Sequence, residues 1–328
     1  MRQMLMRAAI AIAGVMVAMA CQAQPARIDL QGHRGARWLQ PENTLASFRK
    51  ALEFNVTTLE LDVVVTRDEV LVVSHDPALN PALTRDASGR FLTGPGPMIS
   101  SLTYAELQQY DVGRLDSGSR YGRNFAQQVP ADGQRIPRLS DVFELVKAAG
   151  NTRVRFAIET KVTPLAPLAT PAPERMADLL VEQIIKHDLL GRVQILSFDW
   201  RSLQHVQKKN LNIPTVYLTA QLPELDNIMA NIGGGSPWTA GFQRKDHGSI
   251  PRMIKAAGGT HWSSFWRELD RSKVQEAQSL GIKVLAWTVN DPKVFEQMLD
   301  MGVDGIVTDR PDMATDILKR RNVHWAPE

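Results

Sequence analysis

Residues 58–75 read TLELDVVVTRDEVLVVSH. The run is rich in Val and Leu and alternates with period two, which predicts a strand over 58–66. Leu59, Leu61, Val63 and Val65 then share one face, and Glu60 and Asp62 share the other. Two carboxylates on one strand face repel unless a cation or a proton lies between them. A hard divalent ion with oxygen ligands is the simplest remedy, and pairing with Arg or Lys is the alternative. A second apolar run over 70–75 predicts an extra or paired strand that ends in His75.

Working outward, the same reading places strands over 28–33, 154–161, 192–197, 215–218, 259–262, 282–288 and 305–308. Helices are expected over 44–54, 102–110, 140–149, 173–187, 200–209, 250–257, 271–280, 292–301 and 313–320. Ser140-Asp141 offers a cap, and Asp291-Pro292 puts proline in a first helical turn. Strand–helix alternation along one chain predicts a parallel α/β domain. Eight strands remain when 70–75 is set aside, which favours a TIM-type (β/α)8 barrel over an open sheet. Residues 77–138 carry little strand pattern and much Gly, Pro, Ser and Arg. They read as a small inserted subdomain after the second barrel strand, with one helix. Residues 162–173 (VTPLAPLATPAP) and 231–248 (NIGGGSPWTAGFQRKDHG) are expected to be irregular loops. The glycines 233–235 lack a following Lys-Ser/Thr, so they are not a nucleotide phosphate loop.

In such a barrel, chemistry sits at the carboxyl ends of the strands. His33 and Arg34 end the first strand, and His75 ends the paired one. Glu159 and Lys161 close the strand over 154–161, with Glu159 facing the centre as a third carboxylate. Histidine gives and takes a proton near neutral pH, so two of them flanking a reacting centre suit acid–base work. Arg presents a planar fork to phosphate oxygens, and Lys adds a second positive charge. A divalent metal stabilises charge that grows during phosphoryl displacement. The set suits cleavage of a phosphate ester. The chain has no G-x-S-x-G elbow, dinucleotide fingerprint or HExxH helix. Trp262, Phe265 and Trp266 read as packing, Arg320-Arg321 as a solvated helix end, and Arg114, Arg120 and Arg123 as ordinary surface. Histidines 187, 205, 247, 261 and 324 read as non-catalytic.

Gly32-His33-Arg34-Gly35, Pro41-Glu42-Asn43-Thr44, Glu60-Leu61-Asp62 and His75-Asp76 resemble blocks of the glycerophosphodiester phosphodiesterase family. Glu159-Thr160-Lys161, Ser197-Phe198, residues 286–290 (AWTVN) and residues 302–311 (GVDGIVTDRP) resemble its later blocks in the same order. The resemblance runs from about residue 28 to residue 312. It implies a TIM-type barrel and metal-dependent hydrolysis of glycerophosphodiesters to an alcohol and sn-glycerol 3-phosphate. It implies His33 and His75 as the acid–base pair, and Glu60, Asp62 and Glu159 as ligands of one divalent cation. Arg34 and Lys161 would contact phosphate, and Trp287 would line the pocket. The all-oxygen ligand set favours Ca2+ or Mg2+ over zinc. The nucleophile is left open between water and the glycerol 2-hydroxyl acting through a cyclic phosphate.

Residues 1–23 (MRQMLMRAAIAIAGVMVAMACQA) have the layout of a secretory signal peptide. Arg2 and Arg7 precede a short apolar run, and small residues at Ala18, Ala20 and Ala23 allow a cut after Ala20 or Ala23. A periplasmic or secreted protein is expected, with a lipid anchor at Cys21 if the cut falls before it. The body, 24–328, is read as one catalytic domain without a transmembrane segment. Cys21 is the sole cysteine, which excludes an intramolecular disulfide and a Cys-based zinc site. The 328 residues are 44% hydrophobic, enough for a sizeable core. Without Arg2 and Arg7, 36 basic side chains face 35 acidic ones, a net +1, which argues against a nucleic-acid partner. Three other readings stay open: a phospholipase D-like enzyme acting on lysophospholipids or sphingolipids, a non-catalytic periplasmic protein that captures glycerophosphodiesters, and a barrel serving only as an interaction scaffold.

Overall fold

The computed structural model describes residues 27–209, 212–229 and 233–326. The signal-peptide expectation and Cys21 lie outside the described residues. In chain order the strands are β1 (Asp29–Gly32), β2 (Thr58–Val65), β3 (Leu71–Val73), β4 (Arg155–Thr160), β5 (Val193–Ser197), β6 (Thr215–Thr219), β7 (Gln221–Leu222), β8 (Leu225–Asp226), β9 (His261–Phe265), β10 (Lys283–Trp287) and β11 (Gly305–Thr308). The helices are α1 (Leu45–Glu53), α2 (Tyr104–Leu107), α3 (Arg120–Asn124), α4 (Leu139–Ala148), α5 (Pro173–Lys186), α6 (Trp200–Lys209), α7 (Arg244–His247), α8 (Ile250–Ala256), α9 (Arg271–Ser279), α10 (Pro292–Met301) and α11 (Pro311–Arg320).

Strands β1, β2, β4, β5, β6, β9, β10 and β11 pair in parallel, and β1 returns to β2, so eight strands close a barrel. β3 is the paired strand, antiparallel on β2. The outer face of β2 (Leu59, Leu61, Val63 and Val65) joins the large core between barrel and helices. A small apolar plug of Ala157, Leu196, Val216, Leu218 and Leu285 fills the barrel interior, with Phe198 and Trp287 packed on top. The α1 helix starts at Thr44, whose hydroxyl accepts from Ser47 N. Asp291 caps α10 ahead of Pro292.

The inserted segment over 77–138 lies between β3 and α4. Leu79, Ile99, Leu107 and Ile136 from it pack on Val64 and Val72 of the β2–β3 pair. It holds two short helices instead of one. The α3 stretch RYGRN carries Gly and Asn, poor helix formers, and no apolar period, so nothing but the Ser119 cap marked it. The expected helix over 102–110 shrinks to α2. β9 runs later than the expected 259–262, because Ser263 and Ser264 break the apolar pattern of a strand whose middle is fully buried. The β7–β8 hairpin was not expected. Among the described residues, no helix is long and apolar enough to cross a membrane.

Candidate active site

The turn after β1 is built by its glycines. A Cβ on Gly35 would come within 2.6 Å of the Ser47 backbone, and Gly35 has a φ of +87°. This tight approach puts Arg34 in the left-handed region, φ 51°, and turns its backbone N–H onto Glu60 Oε2 at 2.9 Å. Register then assembles the acids. On β2 and β4, Asp62 lies opposite Glu159 and Glu60 lies opposite Ala157. One oxygen each from Glu60, Asp62 and Glu159 falls within 4.8 Å of the others, and all three residues are buried.

All eight residues singled out in the sequence meet at the carboxyl end of the barrel. His33, Arg34, Glu60, His75, Glu159, Lys161 and Trp287 line one cavity of about 180 Å3. Asp62 lies just beneath, reached by Lys161 Nζ at 3.0 Å and Arg34 Nε at 3.3 Å. Lys161 also donates to Glu159 Oε1 at 2.6 Å. Asn43 donates to Asp62 Oδ2 at 2.9 Å. The far wall is apolar: Leu196, Phe198, Leu218, Leu225, Trp287 and Val307. Trp287 meets Phe198 edge-on at 5.7 Å and Phe265 at 5.5 Å. Its buried Nε1–H has no partner among the described residues.

Each histidine gives Nδ1 to a carboxylate. His33 donates to Asp309 Oδ1 at 2.6 Å, and its Nε2 lies 3.9 Å from Glu60. His75 donates to Asp76 Oδ1 at 2.7 Å. Burial and then Arg37 push the His33 imidazole down to about 4, against the opposing pull of Asp309. His75 is lowered too, by burial and then by Arg34 and Lys161. A third of its side chain is exposed, so water moderates the shift. Burial, with Asp62 and Glu159 nearby, holds Glu60 well above the usual carboxylate range. Burial opposes ionisation of Asp62, but Lys161 and Arg34 keep it well below. Glu159 is raised by burial and by Asp62, against the pull of Lys161.

Several partners of these residues went unread in the sequence. Arg34 Nη1 donates to Glu42 Oε1 at 2.6 Å. Arg37 grips both oxygens of Asp309 at 2.8 and 2.9 Å, and Asn290 donates to Asp309 Oδ2 at 2.6 Å. Asp309 is fully buried and lies far below the usual carboxylate range: burial opposes this, but Arg37 and His33 outweigh it. Asp309 directly follows β11, so the strand-end rule that found His33 would have found it. Arg37 sits in an irregular turn with no such signal.

The acids fit a divalent cation. Four buried carboxylates, Glu42, Glu60, Asp62 and Glu159, face two cations, the buried Arg34 and the largely buried Lys161, in this network. That leaves two surplus negative charges over a span that one small oxygen-loving ion can bridge. Burial first, and then the crowding of like charge, raises the Glu60 and Glu159 carboxyls.

A model of the glycerophosphoryl diester phosphodiesterase family matches residues 33–313. A glycerophosphodiester phosphodiesterase of Caldanaerobacter subterraneus subsp. tengcongensis is 29% identical over 289 residues, covering 88% of this chain and 96% of that one. A crystal structure from Silicibacter pomeroyi DSS-3 is 35% identical with a TM-score of 0.81, over 92% of this chain and 96% of that one. A phosphodiesterase of Oleispira antarctica, solved with the product sn-glycerol-3-phosphate, shares the fold at 22% identity and a TM-score of 0.64, over 89% of this chain and 96% of that one.

Proposed function

The chain belongs to the glycerophosphoryl diester phosphodiesterase family, and from that premise we propose that His33 and His75 are the acid–base pair with which it hydrolyses glycerophosphodiesters to an alcohol and sn-glycerol 3-phosphate. The product bound to the Oleispira antarctica relative supports that product here. The observation that carries the proposal is convergence: two imidazoles, three carboxylates, an Arg and a Lys meet around one small cavity. Its volume, about 180 Å3, is below the range of roughly 300–1,000 Å3 usual for drug-sized ligands and suits a glycerol phosphate group.

Glu60, Asp62 and Glu159 would hold the divalent cation, Ca2+ or Mg2+. When bound, that ion supplies Lewis-acid stabilisation of phosphoryl charge. The chain does the rest. Arg34 and Lys161, at the cavity edge, neutralise phosphate oxygens. The apolar wall with Trp287 packs the carbon skeleton. Both histidines have Nδ1–H fixed on a carboxylate, which leaves Nε2 as the working nitrogen. One Nε2 takes the proton of the attacking hydroxyl as its oxygen bonds to phosphorus. The other protonates the departing alcohol oxygen as its bond to phosphorus breaks. The attacking hydroxyl is water or the glycerol 2-hydroxyl.

Purified mature chain, assayed with and without chelator on glycerophosphocholine and lysophosphatidylcholine, tests the reading. Coupled detection of glycerol 3-phosphate from glycerophosphocholine, lost on chelation and restored by Ca2+ or Mg2+, is the expected result. Turnover of lysophosphatidylcholine alone would move the assignment to the phospholipase D-like reading, and binding without turnover to the capture protein. The residue pattern over 1–23 supports export to the periplasm or the medium. Intact mass of the mature chain tests cleavage after Ala20 or Ala23 and reveals any lipid on Cys21.

A further inference from the structure

The inserted segment reaches the site through one hydroxyl. Tyr121, on α3, is mostly buried, and its Oη donates to Glu42 Oε2 and accepts from Arg37 Nη1 at 3.2 Å. A phenol has one O–H to give, and both directions are used here. From Glu42 the contact continues to Arg34 at 2.6 Å. From Arg37 it continues to both oxygens of Asp309, and from there to His33 Nδ1 at 2.6 Å. Two neighbours brace the same turn: Gln128 Nε2 donates to Arg37 O at 2.7 Å, and Val129 N–H donates to Leu39 O at 3.0 Å. Phe125 completes the brace, with the Arg37 guanidinium 4.7 Å over its ring and Tyr121 5.2 Å away.

We infer that Tyr121 is a positioning residue for both halves of the site: through Glu42 it sets the Arg34 guanidinium, and through Arg37 and Asp309 it sets the His33 ring. The inference rests on the roles proposed above for His33 and Arg34. Its physical basis is that the hydroxyl keeps two opposite charges from meeting. Glu42 and Arg37 both point at Tyr121 Oη; Glu42 is buried and the Arg37 side chain is only 12% exposed. Without the hydroxyl, each loses a partner where water is scarce, and the remedy nearest to hand is a direct Glu42–Arg37 pair. That pair draws Glu42 from Arg34 or Arg37 from Asp309, and in either case a group facing the phosphate moves. The ring contacts with Phe125 do not involve the hydroxyl, so packing and positioning can be separated.

Tyr121→Phe keeps the ring and removes the hydroxyl. The expected result with glycerophosphocholine is a kcat about tenfold lower, a weaker inhibition constant for sn-glycerol 3-phosphate by about threefold or more, and a melting temperature near that of the unaltered chain. A lowered melting temperature with both constants unchanged would make Tyr121 merely structural and overturn the inference. Should Tyr121→Phe fail to fold, Glu42→Gln, which leaves the phenol in place, decides: unchanged kcat and inhibition constant refute it, and loss in both supports it. His33→Ala runs alongside. If it is inactive while Tyr121→Phe matches the unaltered chain, this inference alone fails. If it is active, the acid–base assignment fails.

Discussion

His33 and His75 hand Nδ1 to a carboxylate at nearly the same distance, 2.6 and 2.7 Å, in very different surroundings. The His33 side chain is 13% exposed, and its partner Asp309 is wholly buried under Arg37 and Asn290. The His75 and Asp76 side chains are each 36% exposed, and among the described residues Asn80 adds the one further hydrogen bond to the Asp76 carboxylate. Contact length therefore says little about what a contact is worth. Around Asp309, removing one group leaves a largely buried guanidinium unpaired, whereas around Asp76 water can take the vacant place.

The comparison can be broken in several ways. On the proposed roles, His33→Ala and His75→Ala should each lower kcat by about 100- to 10,000-fold in steady-state assays, despite their different settings. Near-normal turnover in either variant removes that histidine from the reaction. The carboxylates should then separate. Asp309→Asn should lower kcat by about 100-fold or more and depress the melting temperature, since it breaks a buried pair usually worth about 3–5 kcal/mol. Asp76→Asn should lower kcat by less than about tenfold and leave the melting temperature nearly unchanged. Equal losses would erase the distinction between the two dyads. Acidification tests the same point more gently. His33 takes its proton at about 4 when folded and near 6.5 when unfolded, so the unfolded chain binds more protons between these values. Stability of the metal-free chain should fall as pH drops from about 6.5 to 4, by up to about 1.4 kcal/mol per unit from this group. Denaturant titrations of His33→Asn should show a shallower slope over that window, and an unchanged slope contradicts the buried, neutral ring. The smallest effect belongs to the outer partners: Asn80→Ala should change kcat by less than about threefold, and Asn290→Ala by more.

The parts legible in the sequence are those with short-range periodicity. Alternation in 58–66 fixed which face of β2 carries Glu60 and Asp62, and the same rule put Glu159 beside them. The barrel followed from eight such runs. Asp309 apart, what escaped has no local signature. Arg37 and Asp309 are 272 residues apart and meet because β1 and β11 close the barrel. Tyr121 lies in an aperiodic segment, and its role depends on partners at residues 37 and 42. Ser263 and Ser264 hid the middle of β9, since Ser263 lines the site cavity and a buried strand there need not look apolar. Strand-end position found His33 and His75 but was not applied to Asp309, which directly follows β11 and pairs with a histidine rather than with the acid cluster.

Hydrolysis in water enriched with oxygen-18 tests the central claim most directly. With glycerophosphocholine as substrate, attack at phosphorus places the label in the phosphate of sn-glycerol 3-phosphate, whether water attacks first or opens a cyclic phosphate, and this is the result expected here. Label recovered in the released choline would mean that the carbon–oxygen bond breaks, and would contradict an acid–base site built around phosphorus.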